Sequence, residues 1–147
     1  MRRVVLTLLC AIAFFVAGAQ NTIYSKYGVT MSAPLGFERN EGLSSKMDMD
    51  VFSAADMSAL IGIMRDAQNN ESHQSLLAKA GRPFGLSVAS VKEIDLDGGP
   101  LHYITGTAGT IGVYSIPGTT EAVMVIMIGS AFDSASAVSF LATLAVQ

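Results

Sequence analysis

The chain has 147 residues, of which 50% are hydrophobic and 14% charged, and its mean hydropathy is +0.45. This length predicts one domain, and the apolar content excludes a disordered chain. A net charge of −3, without any cluster of Lys or Arg, argues against a nucleic-acid partner.

Residues 1–19 have the pattern of a secretory signal peptide. Two arginines precede an apolar run at positions 4–16, and residues 17–19 (Ala-Gly-Ala) supply the small side chains that signal peptidase requires. We predict cleavage before Gln20, which places the mature protein in the periplasm or outside the cell. An uncleaved membrane anchor is the alternative, but the apolar run is shorter than the roughly 20 residues of a spanning helix.

Cleavage leaves one predicted domain at residues 20–147. Two of the nine basic residues leave with the signal peptide, so seven remain against twelve acidic ones. Cys10 is the only cysteine of the sequence, and the mature domain is therefore free of disulfides. Such an exported domain depends on its apolar core for stability, and about 130 residues are enough to bury one.

Alternating apolar and polar residues predict strands in the first half of the domain. Residues 24–33 form an extended stretch that Pro34-Leu35-Gly36 stops. Residues 47–51 (Met-Asp-Met-Asp-Val) alternate in the manner of a strand with one solvated face, and residues 58–64 predict a more buried strand.

The pattern changes at residues 71–80, where helix formers predict an α-helix with Asn70 as its N-cap and Gly81 as its end. Strands return after it. One strand is predicted at residues 86–96, where the alternation of apolar and polar residues is interrupted once. Two shorter strands are predicted at residues 101–105 and 111–116. Asp97-Gly98-Gly99 predicts a hairpin turn, and residues 117–120 predict another turn.

Residues 122–128 are apolar at every position, which is typical of a central strand covered on both faces. Asp133 is the predicted N-cap of a last helix, whose apolar side is formed by Ala137, Val138, Leu141, Leu144 and Ala145. A transmembrane helix over 122–146 is the alternative. It would place Asp133 near the middle of the bilayer, at a cost of roughly 2.5–3.5 kcal/mol.

The predicted order is three strands, a helix, four strands and a helix. Neighbouring strands along the chain favour antiparallel pairing, and a strand that is apolar on both faces requires cover on both sides. The sequence therefore predicts an α+β fold, with a mostly antiparallel sheet of about six or seven strands covered by two or three helices in an α/β/α sandwich.

Two segments of the sequence resemble the PsbP-like superfamily, which includes the extrinsic photosystem II subunit and a Ran-binding nuclear factor. The opening segment 24–37 is similar to the start of that family, an extended strand that runs into Pro34, Gly36 and the aromatic Phe37. The final apolar strand, followed by a helix with Ser139-Phe140-Leu141, is also similar. The resemblance implies a non-catalytic accessory or adaptor protein that docks on a larger assembly, and it transfers no site residue.

No catalytic residue is predicted. The mature domain has two histidines, of which His73 lies at an exposed helix start and His102 on a strand, pointing away from its neighbours Leu101 and Tyr103. Residues 85–89 (Gly-Leu-Ser-Val-Ala) lack the final glycine and the following helix of a nucleophile elbow. The glycine-rich residues 106–112 lead into a strand and not a helix, which favours a hairpin connection over a phosphate site.

No metal site or cofactor is predicted either. The pairs Asp48/Asp50 and Asp95/Asp97 lie two residues apart on predicted strands and are interpreted as solvated rims, with a weak divalent-cation site as the alternative. Met47 and Met49 would share one strand face, and copper binding by these thioethers is the alternative to core packing of methionine.

We therefore predict an exported, non-enzymatic domain of the cell envelope that acts as an accessory or protein-interaction module, with another envelope or surface protein as its partner. The alternative is a small-molecule or lipid-binding module with an apolar cavity under the helices. A small hydrolase is a third hypothesis, which depends on His102 and the carboxylates near it in sequence.

Overall fold

The computed structural model describes residues 20–87 and 90–147. The helices of these residues are α1 (Glu41–Met47), α2 (His73–Gly81) and α3 (Ser134–Leu141), and a 3-10 turn spans Arg82–Phe84. The strands are β1 (Gln20–Tyr24), β2 (Val29–Pro34), β3 (Glu38–Arg39), β4 (Asp50–Ser53), β5 (Ala59–Ala67), β6 (Lys92–Leu96), β7 (Gly99–Thr105), β8 (Gly109–Ser115), β9 (Glu121–Gly129) and β10 (Ala145–Val146).

The strands form two antiparallel sheets. The larger sheet has seven strands in the order β3-β4-β5-β9-β8-β7-β6, and the smaller has the order β1-β2-β10. Both hairpin predictions in the second half are confirmed, since Leu96 pairs with Gly99 across Asp97-Gly98 and the 117–120 turn joins β8 to β9. The predicted α+β fold with an antiparallel sheet is confirmed.

Strand β9 lies at the middle of the seven-stranded sheet and is buried from both sides, as its composition predicts. Val123, Val125 and Met127 belong to the core cluster that the smaller sheet and α3 cover. Ala122 and Ile126 belong to the opposite cluster, which α2 covers through Leu77. Side chains of successive residues point to opposite faces of a strand, and this alternation places β9 between two apolar layers.

The strand predicted at residues 47–51 is wrong, because a helix ends inside it. Asn40 caps α1 by accepting a hydrogen bond from the Leu43 N–H at 3.0 Å, and Met47 is the last helical residue. Asp48 follows with a φ of +52°, and β4 starts at Asp50. The left-handed backbone at Asp48 ends the helix and turns the chain into β4. The alternating apolar and acidic residues of this segment therefore do not lie on a single strand.

The boundaries of two helices differ from those predicted. Ser72 is the N-cap of α2, where its side chain accepts from the Ser75 N–H at 3.1 Å, whereas Asn70 has a φ of +61°. Gly81 lies within the helix, which continues as a 3-10 turn to Gly85.

Asp133 caps α3, as predicted, by accepting from the Ser136 N–H at 2.8 Å. The helix ends earlier than expected, at Leu141, and Ala145 belongs to β10. Of the strand predicted at 86–96, β6 covers Lys92–Leu96, and residues 88–89 lie outside the described residues.

The predicted signal peptide at residues 1–19 also lies outside the described residues. Residues 122–146, the alternative transmembrane segment, form β9, a turn, α3 and β10. In the part of the chain that the structure describes, no helix is both long and apolar enough to cross a membrane.

Candidate functional site

The two histidines of the domain meet between α2 and the seven-stranded sheet. His73 is the first residue of α2, and its ring stacks on that of His102 in β7, with centroids 4.1 Å apart and an angle of 18° between the planes. His102 points to the α2 side of the sheet, whereas Leu101 and Tyr103 lie in the opposite core cluster. The sequence predicted this orientation of His102 but not the contact with His73.

The hydrogen bonds around Ser115 determine which atom carries each proton. The Gln68 Nε2 donates to the Glu71 carbonyl oxygen at 2.8 Å, so the Gln68 Oε1 is the atom that faces Ser115. The Ser115 hydroxyl donates its proton to this Oε1 at 2.8 Å. Since a serine has one proton to donate, the His73 Nε2, 2.6 Å from the Ser115 Oγ, must be the donor of that hydrogen bond.

His102 is held by a carboxylate at one ring nitrogen and has no partner at the other. Its Nε2 lies 3.0 Å from the Glu93 Oε1, and a carboxylate accepts, so Nε2 carries a proton. The Nδ1 is buried and has no hydrogen-bond partner among the described residues.

Burial, and secondly the neighbouring His102, lower the pKa of His73, while Glu93 opposes this shift. The position of His73 at the amino end of α2 acts in the same direction as burial, because the positive end of the helix dipole disfavours a cation there. Two stacked rings cannot both become cationic without strong repulsion. The lowered pKa favours the neutral form of His73 at pH 7.

This geometry does not provide a general base for a serine nucleophile. The proton of Ser115 goes to Gln68, and the His73 nitrogen that faces Ser115 already carries a proton. His102 contacts Glu93 and forms no hydrogen bond with a serine or aspartate in the described ranges 20–87 and 90–147. The nucleophile-elbow candidate at 85–89 lies partly outside those ranges.

The histidine pair also does not converge on a metal ion. Nitrogen lone pairs lie in the ring planes, and nearly parallel planes about 4 Å apart direct them side by side and not toward one point. Among the described residues, no group of three or more His, Cys, Asp or Glu side chains could hold a metal.

Of the three residue pairs with a metal-binding alternative, the structure places the two members of Asp48/Asp50 and of Met47/Met49 in different environments. Asp48 is exposed, whereas Asp50 is 1% exposed and forms an ion pair with Arg39, so the predicted solvated rim is wrong for this pair. Met47 is exposed at the end of α1 and Met49 is buried in the core, so they do not share a strand face. Asp95 and Asp97 are both exposed, as predicted.

The glycine-rich residues 106–112 form a hairpin connection between β7 and β8, in which the Gly106 N–H donates to the Gly109 carbonyl at 2.9 Å. This agrees with the predicted interpretation and differs from a phosphate-binding loop, which requires a following helix.

Three exposed apolar side chains lie near β3, the short edge strand of the seven-stranded sheet: Tyr24 and Met57 line the grooves beside it, and Leu35 is three residues before it in the chain. Tyr24 and Leu35 are each 67% exposed and Met57 is 50% exposed. The Tyr24 carbonyl accepts from the Arg39 Nη2 at 2.9 Å, and the Met57 sulfur accepts from the Asn40 Nδ2 at 3.4 Å. We call Tyr24, Leu35, Met57 and strand β3 the β3 surface.

Shallow grooves lie on both sides of β3. One, of about 300 Å³, is lined by residues of β1 and β3 and includes Tyr24. The other, of about 560 Å³, is lined by Gly36, β3, Asn40 and Met57. The sequence placed Tyr24 in a strand but contained no signal for its exposure, because exposure depends on which strands cover which edge.

A separate cleft of about 610 Å³ lies between the β6–β7 hairpin, the β8–β9 turn and the segment after α3. It is open to solvent, unlike the apolar cavity under the helices that the ligand-carrier hypothesis requires. Its lining includes Asp95, Asp97 and Tyr114 together with aliphatic side chains.

The chain matches no known family model and no curated protein.

Proposed function

We propose that this protein is an exported, non-enzymatic accessory domain of the cell envelope, which binds an extended apolar segment of another envelope protein on the β3 surface. The observation that carries the proposal is the position of the exposed apolar side chains. Four large hydrophobic side chains are exposed among the described residues. Two of them, Tyr24 and Met57, line the grooves beside β3, and a third, Leu35, lies three residues before that strand in the chain.

The edge strands support an extended partner. Strand β3 pairs only with β4, and β1 pairs only with β2, so each leaves one edge without a neighbouring strand in the described sheets. Residues of both strands line one groove. A segment laid along an open edge can pair with backbone groups, while apolar contacts on either side add specificity.

The chemistry of the histidine pair supports a non-enzymatic role. The closest arrangement to a serine–histidine dyad, Ser115 with His73, has the serine proton committed to Gln68. The resemblance to the PsbP-like superfamily, whose members are mostly accessory or adaptor proteins, supports the same role, and we propose that relationship together with it. The predicted signal peptide supports the location in the envelope.

Site-specific photocrosslinking in the native host tests the proposal. A photoreactive amino acid replaces Tyr24, Leu35 or Met57 in turn in the tagged full-length chain. The matched control position is Lys79 on α2, whose side chain is 66% exposed. We expect the same adduct from the three β3-surface positions and none from position 79.

A variant with two substitutions tests whether formation of the adduct depends on the apolar side chains of the β3 surface. With the crosslinker at position 57, the changes Tyr24→Ser and Leu35→Ser are expected to abolish the adduct and leave the melting temperature unchanged. The proposal is overturned if no adduct forms at the three positions, if position 79 gives the same adduct, or if the double change leaves the adduct intact.

A further inference from the structure

The cleft of about 610 Å³ is lined by acidic, phenolic and aliphatic side chains. It lies away from β3, between the β6–β7 hairpin, the start of the β8–β9 turn and the chain after α3. Its volume is within the range of about 300–1,000 Å³ that small-molecule sites occupy. It shares no lining residue with the grooves of the β3 surface.

The cleft has acidic residues and no basic ones. Asp95 and Asp97 both line it, whereas its lining contains no Lys, Arg or His. Within residues 20–87 and 90–147, neither aspartate forms an ion pair, and neither side chain accepts a hydrogen bond. Two uncompensated carboxylates give the cleft a negative potential that favours a cation.

Tyr114 is an independent indication of a ligand. It is 6% exposed and lies in the core cluster, but its hydroxyl has no hydrogen-bond partner among the described residues. The hydroxyl contacts Gly98, another residue of the cleft lining, where an added Cβ would collide with it. A buried phenol whose polar end opens into a cleft is available to accept a hydrogen bond from a bound group.

Apolar side chains complete the lining. They belong to Leu96 of β6, Ile116 and Pro117 at the end of β8, and Leu144 and Val146 near the carboxyl end. These side chains can pack against the aliphatic part of a ligand, since the free energy gained by burying apolar surface is proportional to the area buried.

We propose that this cleft binds a small organic ammonium ion with an aliphatic body. The carboxylates of Asp95 and Asp97 attract the ammonium group, the Tyr114 hydroxyl accepts a hydrogen bond from it, and the aliphatic side chains contact the hydrocarbon. The chemistry differs from that of the β3 surface, where the occupant is an extended apolar segment.

The test uses hexylammonium as the probe and hexanoate as the control of opposite charge. Backbone amide shifts of the full protein are followed by NMR during titration. Hexylammonium is expected to cause saturable shifts at residues 95–98 and 114–117, and hexanoate is expected to cause none there.

Three variants identify the groups responsible. Asp95→Asn with Asp97→Asn is expected to weaken hexylammonium binding about tenfold, since the attraction between charges is lost. Tyr114→Phe removes one hydroxyl and is expected to weaken binding about fivefold. Glu41→Gln, which removes an exposed carboxylate on α1, is expected to leave the affinity unchanged.

The proposal is overturned if the shifts do not saturate or are spread over the whole surface. It is also overturned if hexanoate binds the cleft equally well, or if the double Asp variant binds hexylammonium as tightly as the unchanged protein. The melting temperatures of the variants show whether a loss of binding reflects a loss of fold.

Discussion

Asp50 connects the two sheets through its buried carboxylate, which pairs with the exposed side chain of Arg39. Its carboxylate accepts from the Arg39 Nε at 2.8 Å and the Arg39 Nη2 at 2.9 Å, and also from the Lys26 N–H at 2.8 Å. The same guanidinium donates to the Tyr24 carbonyl. One side chain at the start of β4 therefore holds the β1–β2 turn against the edge of the seven-stranded sheet.

We expect Asp50→Asn to lower the free energy of unfolding by about 2–4 kcal/mol. The substitution removes the buried negative charge that accepts hydrogen bonds from the Arg39 guanidinium. Asp48→Asn is the matched control, two residues away in the sequence. Asp48 is exposed with a φ of +52°, a conformation that asparagine accepts well, so the change should stay within about 0.5 kcal/mol. Urea unfolding measures both, and equal effects of the two substitutions would contradict this role for Asp50.

The histidine pair makes stability depend on pH. Burial, followed by the proximity of His102, lowers the pKa of His73 below its ordinary value of 6.5. The unfolded chain therefore takes up a proton at a higher pH than the folded protein does. The stability is fully present above about pH 6.5 and is lost as the pH falls from there through the lowered pKa of the folded state.

Urea unfolding at several values between about pH 8 and pH 5 measures this loss, a range in which His side chains are the usual titrating groups. The sequence contains only these two histidines. His73→Gln is expected to flatten the dependence, and His102→Gln to reduce it by removing one cause of the shift. A dependence of unchanged slope in the His73→Gln variant would show that other groups are responsible.

At the scale of elements, three aromatic rings join the opening segment to the last helix. Phe37, just after β2, packs edge-on against Phe132 with ring centroids 5.6 Å apart, and Phe132 packs in the same way against Phe140 of α3 at 5.9 Å. The segment after β2 and the last helix are thus in contact through one aromatic cluster. Such pairs contribute about 0.5–1.5 kcal/mol beyond the burial of their area.

Two glycines should respond to alanine with opposite signs. Gly129 ends β9 with a φ of +115°, and an added Cβ would collide with the Ser58 carbonyl oxygen and the backbone of Ala59. Gly42 lies in α1, where a Cβ meets only an ordinary contact, 3.6 Å from the Asn40 Oδ1.

We expect Gly129→Ala to lower the unfolding free energy by at least about 2 kcal/mol, through backbone strain and separation of β5 from β9. Gly42→Ala should raise it by about 0.5–1 kcal/mol, because alanine loses less conformational freedom in a helix. Chemical unfolding of the two variants is the measurement. Destabilisation by Gly42→Ala, or no effect of Gly129→Ala, would contradict these assignments.

The sequence predicted the elements with a strong local period and missed those without one. Strand β9 is apolar throughout and Asp133 is followed by an apolar helix, so both were predictable. Helix α1 (Glu-Gly-Leu-Ser-Ser-Lys-Met) has one large apolar residue before its final Met47, and no helical period is visible in it. Its formation depends on the Asn40 cap and on buried Ser44, which accepts from the Val51 N–H at 2.9 Å.

The candidate sites were less predictable than the fold because they combine distant residues. His73 and Ser115 are 42 residues apart in sequence, and their contact follows from the packing of α2 on β8. The exposure of Tyr24 and the burial of Asp50 likewise depend on how the sheet edges are covered. These are tertiary effects that residue spacing alone does not express.

At the scale of the molecule, the seven-stranded sheet lies between two apolar layers, and these layers stabilise the described domain without disulfides. The described residues include no cysteine, and 29 hydrophobic side chains are buried. Large mutational costs are therefore expected in these layers and small ones at the exposed positions of the β3 surface.

The proposed role depends first on location, since an envelope partner can be met only by an exported chain. The most direct measurement is fractionation of the native host, followed by amino-terminal sequencing of the purified protein. We expect the protein in the envelope or secreted fraction, with Gln20 as its first residue. A cytosolic protein that still begins at Met1 would contradict the account.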